Sequence, residues 1–274
     1  MLLQISGMAR SKYYYHNRRI GMPDGYDGLR GRIHEIYDEH HSRYGYRRIT
    51  AQLHNEGMDV NHKTVQKLMS QMGLKGAGKK RKYHSYKGRV GDVAPNILDR
   101  DFKTDAPFRK WTTDVTQVCI HDRTTYLSAL LDMYNGEIMA YVISRSPNLH
   151  MVTEMTRRGI EKLPEGSGLI LHSDQGWHYQ HPQYQKLLKD NGITQSMSRK
   201  GNCLDNAMME NFFGLMKREL LYLRKWDSIE QFEHALRAYI KYYNNDRIKI
   251  RLDGMSPVQY RDMYNKSLNK PSNF

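Results

Sequence analysis

Trp111-Thr112-Thr113-Asp114-Val115-Thr116-Gln117-Val118-Cys119-Ile120, then His121-Asp122-Arg123, then Thr124-Thr125-Tyr126-Leu127-Ser128-Ala129-Leu130-Leu131-Asp132-Met133 is the stretch that decides the fold. β-Branched and aromatic residues dominate it, and such side chains fit a pleated, half-buried surface. A third such run follows Asn135-Gly136, a dipeptide that accepts the positive φ of a tight hairpin turn. Three runs, at about 111–121, 124–133 and 136–145, predict an antiparallel meander.

Downstream the periodicity alternates. Residues 148–163 read as a helix, 168–173 as a short buried strand, 182–191 as a helix and 192–196 as another strand. This order predicts an α/β domain, a mixed sheet flanked by helices. Asp205 is expected to cap a helix running through Leu223. Ser228-Ile229-Glu230-Gln231 reads as a capping box, and Ser256-Pro257 starts a last helix.

Upstream of the meander the texture is helical and basic. The chain has 274 residues and a net charge of +14; residues 1–100 carry 19 Lys and Arg against 9 Asp and Glu, the rest 24 against 20. An excess of this size favours a polyanionic partner, because basic side chains displace condensed counterions from nucleic acid. Ile33, Ile36 and Tyr37 mark one helix, Ile49 and Leu53 a second that stops at Gly57, and Val65, Leu68, Met69 and Met72 a third that Asn61 caps and Gly73 ends. Two short helices across a turn, the second presenting Lys63, Gln66, Lys67 and Ser70, form the pattern of an all-α helix-turn-helix domain, which an ordinary helical hairpin also satisfies. The basic context favours DNA, with Arg47, Arg48, Lys63 and Lys67 as phosphate contacts. Residues 75–100 carry Lys79-Lys80-Arg81-Lys82 with little apolar periodicity and read as a flexible basic linker able to track phosphates. Tyr13-Tyr14-Tyr15 is expected to serve packing rather than base stacking.

Some classes drop out. No apolar run approaches the roughly 18 residues of a membrane span, and no basic segment precedes the first apolar residues, so neither membrane insertion nor export is expected. Two distant cysteines, Cys119 and Cys203, give neither a disulfide framework nor a zinc site, which fits a reducing cytoplasm.

Three acids stand in distinctive words: Asp114 in Trp111-Thr112-Thr113-Asp114-Val115-Thr116, Asp174 in Leu171-His172-Ser173-Asp174-Gln175-Gly176, and Glu210 in Asp205-Asn206-Ala207-Met208-Met209-Glu210-Asn211. Singly, each has an ordinary structural reading as a strand, turn or helix residue. Together, at a strand, a strand end and an adjacent helix, they are able to meet. Clustered carboxylates raise one another's pKa unless cations neutralise them, and oxygen ligands select hard ions, so Mg²⁺ or Mn²⁺ is the expected cofactor.

These words, with 59 residues between Asp114 and Asp174 and 35 between Asp174 and Glu210, resemble a known family. The chain is similar to the second-reading-frame catalytic proteins of bacterial insertion sequences, relatives of retroviral integrases with an Asp-Asp-Glu core. The likeness extends through Ser11-Lys12-Tyr13-Tyr14-Tyr15, Tyr44-Gly45-Tyr46-Arg47-Arg48-Ile49, Ser196-Met197-Ser198-Arg199-Lys200-Gly201-Asn202, Tyr242-Tyr243-Asn244 and Ser256-Pro257. It implies a ribonuclease-H-like core over about 105–225, after a basic helical segment (1–27), the helix-turn-helix domain (28–74) and the linker (75–104), and before a helical extension (226–274). It implies metal-dependent strand cleavage and transfer with Asp114, Asp174 and Glu210 as catalytic metal ligands. Lys217, seven residues past Glu210 and on the same helical face, matches the family's basic residue and is expected to hold a DNA phosphate.

Double-stranded DNA, both element ends and target, is the implied partner, with a homo-oligomer on DNA and an upstream reading-frame product as fusion or partner. The implied location is the bacterial cytoplasm, at the nucleoid. His172 is expected to shape the strand end rather than bind a metal, and His178 stands where relatives often carry glutamine. A catalytically silent DNA-binding protein derived from a transposon is the alternative, against which the intact triad argues. A ribonuclease H or junction nuclease on the same fold is disfavoured by the basic N-terminal segment.

Overall fold

The computed structural model describes residues 8–19, 25–78, 93–199 and 203–268. The chain divides into two compact units, Met1–Gly76 and Ala77–Phe274. Among the described residues no helix is long and apolar enough to cross a membrane.

The first unit holds α1 (Arg10–Arg19), α2 (Asp27–Glu39), α3 (Tyr46–Asn55) and α4 (His62–Gln71). Ile33 and Ile36, Ile49 and Leu53, and Val65, Leu68 and Met69 are buried, so the three apolar stripes meet in one small core. The Asn61 side chain accepts the Lys63 N–H and caps α4. Gly57 and Gly73, at φ +82° and +71°, close α3 and α4 in the left-handed conformation that glycine adopts without a Cβ clash. Arg32 of α2 donates to Glu35 and Glu39 of its own helix and to Glu56 just past α3, binding the two helices together. Tyr13, Tyr14 and Tyr15 depart from the packing expectation: all three are exposed on α1. Three consecutive helical residues spread over about 200° of the helix surface and cannot share one buried face.

In the second unit a five-stranded sheet runs in the order β3-β2-β1-β4-β5. β1 (Lys110–Ile120), β2 (Arg123–Asp132) and β3 (Ile138–Ser144) form the antiparallel meander, and β4 (Ile170–Ser173) and β5 (Thr194–Met197) add in parallel to its other side. Crossovers α5 (Leu149–Ile160), α6 (Trp177–Gln180) and α7 (Pro182–Asp190) make the parallel pairings possible. The sheet is buried on both faces. Trp111, Leu130 and Leu171 pack with Val152, Met155 and Leu188 on one side; Val118, Leu127, Ala129 and Leu131 pack with Met209, Phe212, Phe232 and Leu236 on the other. The second group comes from α8 (Ala207–Met216) and α9 (Ile229–Asn245); α10 (Pro257–Leu268) follows. This is the mixed sheet between helices expected from the order of elements, and the ribonuclease-H-like architecture that the family resemblance implies.

Two local expectations need correction. The span read as a linker divides: Lys79, Lys80, Arg81 and Lys82 lie outside the described residues, whereas residues 94–100 are fixed to β5. Ser196 Oγ accepts the N–H groups of Ile97 and Leu98, and Leu98 is buried. Leu98, in an apolar pair too short to show periodicity, has found a core, while Ile97 stays exposed, and one hydroxyl satisfies the backbone of both. The helix expected from Asp205 through Leu223 is instead a 3₁₀ turn (Cys203–Asn206), α8 and a π turn (Lys217–Leu221), and Asp205 is not its cap. Its carboxylate goes to arginines instead.

The π turn is held by a buried ion pair. Arg247, past the end of α9, donates Nε–H and a terminal N–H to the two Glu219 oxygens, each at 2.7 Å, and Tyr239 OH adds a bond at 3.0 Å. Removing one partner of such a pair strands a buried charge and costs about 3–5 kcal/mol. Arg247→Ala should therefore lower the unfolding free energy by about that amount in urea titration, while the paired change Glu219→Leu with Arg247→Met should recover most of it.

Candidate active site

The parallel register of β1 and β4 builds the site. Lys110, Trp111 and Thr112 pair with Ile170, Leu171 and His172, and the pairing ends there. Asp114 and Asp174 each lie two residues beyond Thr112 and His172, so the period-two pleat directs both to the face that Thr112 and His172 occupy. That face carries α8, and with it Glu210. A cleft at the carboxyl ends of parallel strands is where open α/β sheets bind ligands.

Asp114 is partly exposed on β1, and its Oδ1 accepts the Val115 N–H at 2.7 Å. Burial, and then the charge of Asp174, push its carboxyl well above the usual range; Glu210 adds a weaker push and Lys217 opposes it. Asp174 is raised by burial and restrained by the Gly176 N–H, which donates to Oδ1 at 2.9 Å, and by His178. Glu210 is exposed on the first turn of α8, and burial raises it as well. Lys217 is partly buried where the π turn begins, and burial lowers its pKa against the pull of Asp114. Four side chains singled out in the sequence thus share one electrostatic neighbourhood centred on Asp114. Among the described residues no three His, Cys, Asp or Glu are drawn together tightly enough to hold an ion as they stand.

Around the acids, neutral groups fix geometry. His172 is fully buried between a β5 serine and the one just past β5, Nδ1 against Ser196 Oγ at 2.9 Å and Nε2 against Ser198 Oγ at 3.0 Å, and burial pushes it down to about 4. Both ring nitrogens are occupied by this bridge, which matches a shaping role. His178 donates from Nε2 to the Pro147 carbonyl at 2.6 Å. Asp205 and Asn206, quoted in the sequence without a site role, are fully and almost fully buried against the start of α8; their place in a retained word was the available signal.

Of the helix-turn-helix cations, Lys63 and Lys67 stand exposed on α4 beside Gln66 and Ser70. Arg47 is exposed at the start of α3, where it donates to Tyr46 OH at 3.2 Å, and Arg48 is half-buried with its guanidinium over the Tyr44 ring.

Three family models match the chain: an HTH-like domain over residues 26–83, and integrase core domains over 104–203 and 210–264. The putative transposase InsK for insertion sequence element IS150 of Escherichia coli is 47% identical over 261 residues, covering 95% of this chain and 92% of that one. The chain belongs to the integrase-core transposases of bacterial insertion sequences. The transposase for insertion sequence element IS904 of Lactococcus lactis is 36% identical over 239 residues, covering 86% and 94%. Among solved structures, the HTLV-2 integrase catalytic core domain in complex with magnesium aligns over 58% of this chain and 99% of that one, at 15% identity and a TM-score of 0.47.

In this transposase Gly176 leaves no room for a side chain beside Asp174. A Cβ there would stand 2.9 Å from Asp174 Oδ1 and 3.3 Å from the Tyr179 ring. Gly176→Ala should displace the Asp174 carboxylate and reduce transposition in a plasmid-excision assay by about 100-fold, the scale on which an ångström of misplacement acts. The variant's melting temperature should stay within a few degrees of the parent's.

Proposed function

We propose that this transposase binds the ends of its insertion sequence and cuts and rejoins DNA at the site built by Asp114, Asp174 and Glu210. The observation that carries the reading is the electrostatic convergence on Asp114. Burial and two neighbouring acids push this carboxyl up, and a bound cation would offset both by stabilising the carboxylate. The donor set fits a hard divalent ion. All three groups offer oxygen, and Asp114 and Asp174 each accept a backbone N–H through Oδ1. Asp114, Asp174 and Glu210 would hold Mg²⁺ or Mn²⁺, which when bound stabilises charge on the attacking and leaving oxygens of a phosphodiester displacement. Glu210, exposed and the weaker of the two acids acting on Asp114, would complete the ligand set by closing toward it.

The remaining roles belong to cations. Lys217 would take a DNA phosphate and set the terminal strand over the carboxylates. Arg47, Arg48, Lys63 and Lys67, with Lys79, Lys80, Arg81 and Lys82, would supply sequence-independent phosphate contacts, leaving Gln66 and Ser70 of α4 to reach base edges. Joining two element ends calls for at least two copies on DNA, and an upstream reading-frame product would act as a fusion or partner.

Asp114→Asn, Asp174→Asn and Glu210→Gln should each abolish cleavage of a terminal DNA substrate in Mg²⁺ while leaving its binding intact by mobility shift; near-normal cleavage by any one removes that residue from the site. Lys217→Ala should lose both cleavage and end-specific binding, and Lys217→Arg should keep part of each.

A fourfold alanine variant at Arg47, Arg48, Lys63 and Lys67 tests the DNA surface. The slope of log affinity against log salt should flatten by roughly 0.9 for each phosphate that is no longer neutralised. An unchanged slope places the surface elsewhere.

A further inference from the structure

We infer that Asn206 is a positioning residue: its amide ties the start of α8 to β1 beside Asp114 and thereby sets where Glu210 stands. The inference rests on the carboxylate site proposed above. Thr113 is the first residue of β1 past the parallel pairing with β4, so its carbonyl needs a partner that β4 no longer provides. Asn206 Nδ2 donates to that carbonyl at 3.2 Å, and Asn206 Oδ1 accepts a short hydrogen bond from Thr112 Oγ1. One amide therefore satisfies both of its ends on consecutive residues of the strand that carries Asp114. Asn206 is the residue before α8 and lies four positions, about one helical turn, before Glu210. Its side chain does not cap the helix; it is committed to β1.

The preceding residue fixes the other side of the same turn. Asp205 is fully buried, accepting from Arg199 N–H at 3.0 Å and from Arg199 Nε and a terminal nitrogen at 3.1 Å each, from Arg100 Nε at 2.9 Å and from Asn96 Nδ2 at 3.3 Å. Arg100 reaches it from a turn in which Asp99 and Arg100 both adopt left-handed backbone, at φ +39° and +65°, a conformation that non-glycine residues rarely take. The 3₁₀ turn is thus held from the β5 side by Asp205 and from the β1 side by Asn206, and α8 departs from a fixed point.

Four variants test this: Asn206→Ala, Thr112→Val, which removes the same bond from the strand side, Thr112→Ser, which keeps the hydroxyl, and Phe232→Leu, a core change on α9. Each is measured for Mn²⁺ binding without DNA, by the EPR signal of the free ion, for single-turnover cleavage across Mg²⁺ concentrations, and for melting temperature. Asn206→Ala and Thr112→Val should weaken Mn²⁺ binding about 10-fold or more, as loss of groups that orient metal ligands does, and high Mg²⁺ should restore part of the cleavage rate. Thr112→Ser should behave as the parent, and Phe232→Leu should lose melting temperature with an unchanged Mn²⁺ midpoint. An unchanged Mn²⁺ midpoint in folded Asn206→Ala overturns the inference, as does a midpoint that follows melting temperature across the series. Should Asn206→Ala fail to fold, Thr112→Val decides by the same criteria. Glu210→Gln, measured alongside, separates the two levels: parent-like binding and cleavage there overturn the carboxylate site itself.

Discussion

The three-residue parallel pairing of Lys110, Trp111 and Thr112 with Ile170, Leu171 and His172 is the constraint on which the site depends. It is short because β4 is only four residues long, and it ends while β1 continues for eight more residues against β2. Where it stops, two strands that share a register lose their mutual hydrogen bonds and leave room between them. Asp114 and Asp174 occupy that place at the same offset. Shifting β4 by one residue would turn Asp174 to the opposite face and dissolve the pair.

The opening has consequences for the backbone around it. Groups that would have met a strand partner must find side chains, and they do: Asn206 for the Thr113 carbonyl and Ser196 for the Ile97 and Leu98 N–H groups. These replacements draw the segment before β1, the end of β5 and the start of α8 toward the same end of the sheet. Glu219 and Arg247 act one layer further out, fixing the π turn that begins at Lys217 to the far end of α9. π Turns inside helices recur at functional sites because the extra residue re-aims the side chains that follow.

Electrostatically the site is an unbalanced neighbourhood. Burial disfavours ionisation of Asp114 and Asp174, and Lys217, the cation that opposes this at Asp114, is itself pushed down by burial. Two other buried acids of the same unit are fully compensated: Asp205 by two arginines and Glu219 by one. The contrast sets Asp205 and Glu219 apart from the candidate site, whereas Asp132, raised to about 6 by burial, is held without a cation by the Phe108 and Tyr134 N–H groups and the Trp111 indole.

The sequence by itself determined most of the secondary structure and the order of the elements, and it singled out three candidate acids. Period-two runs specified the meander, Asn61, Ser228 and Ser256 declared helix starts through side chains that bond the backbone, and Gly57 and Gly73 declared ends, because these signals act within a few residues. The acids were legible from the words around them and from a family resemblance. Tertiary structure alone decided that Asp205 serves arginines rather than the helix, that residues 94–100 join the sheet, that the helix after Glu210 widens into a π turn, and that Asn206 reaches β1. Each of these is a hydrogen bond or ion pair between residues far apart in the chain: Asn96 lies 109 positions from Asp205, and Thr112 lies 94 from Asn206. Local propensity cannot register such contacts, because the partner that overrides it arrives only when the sheet has closed.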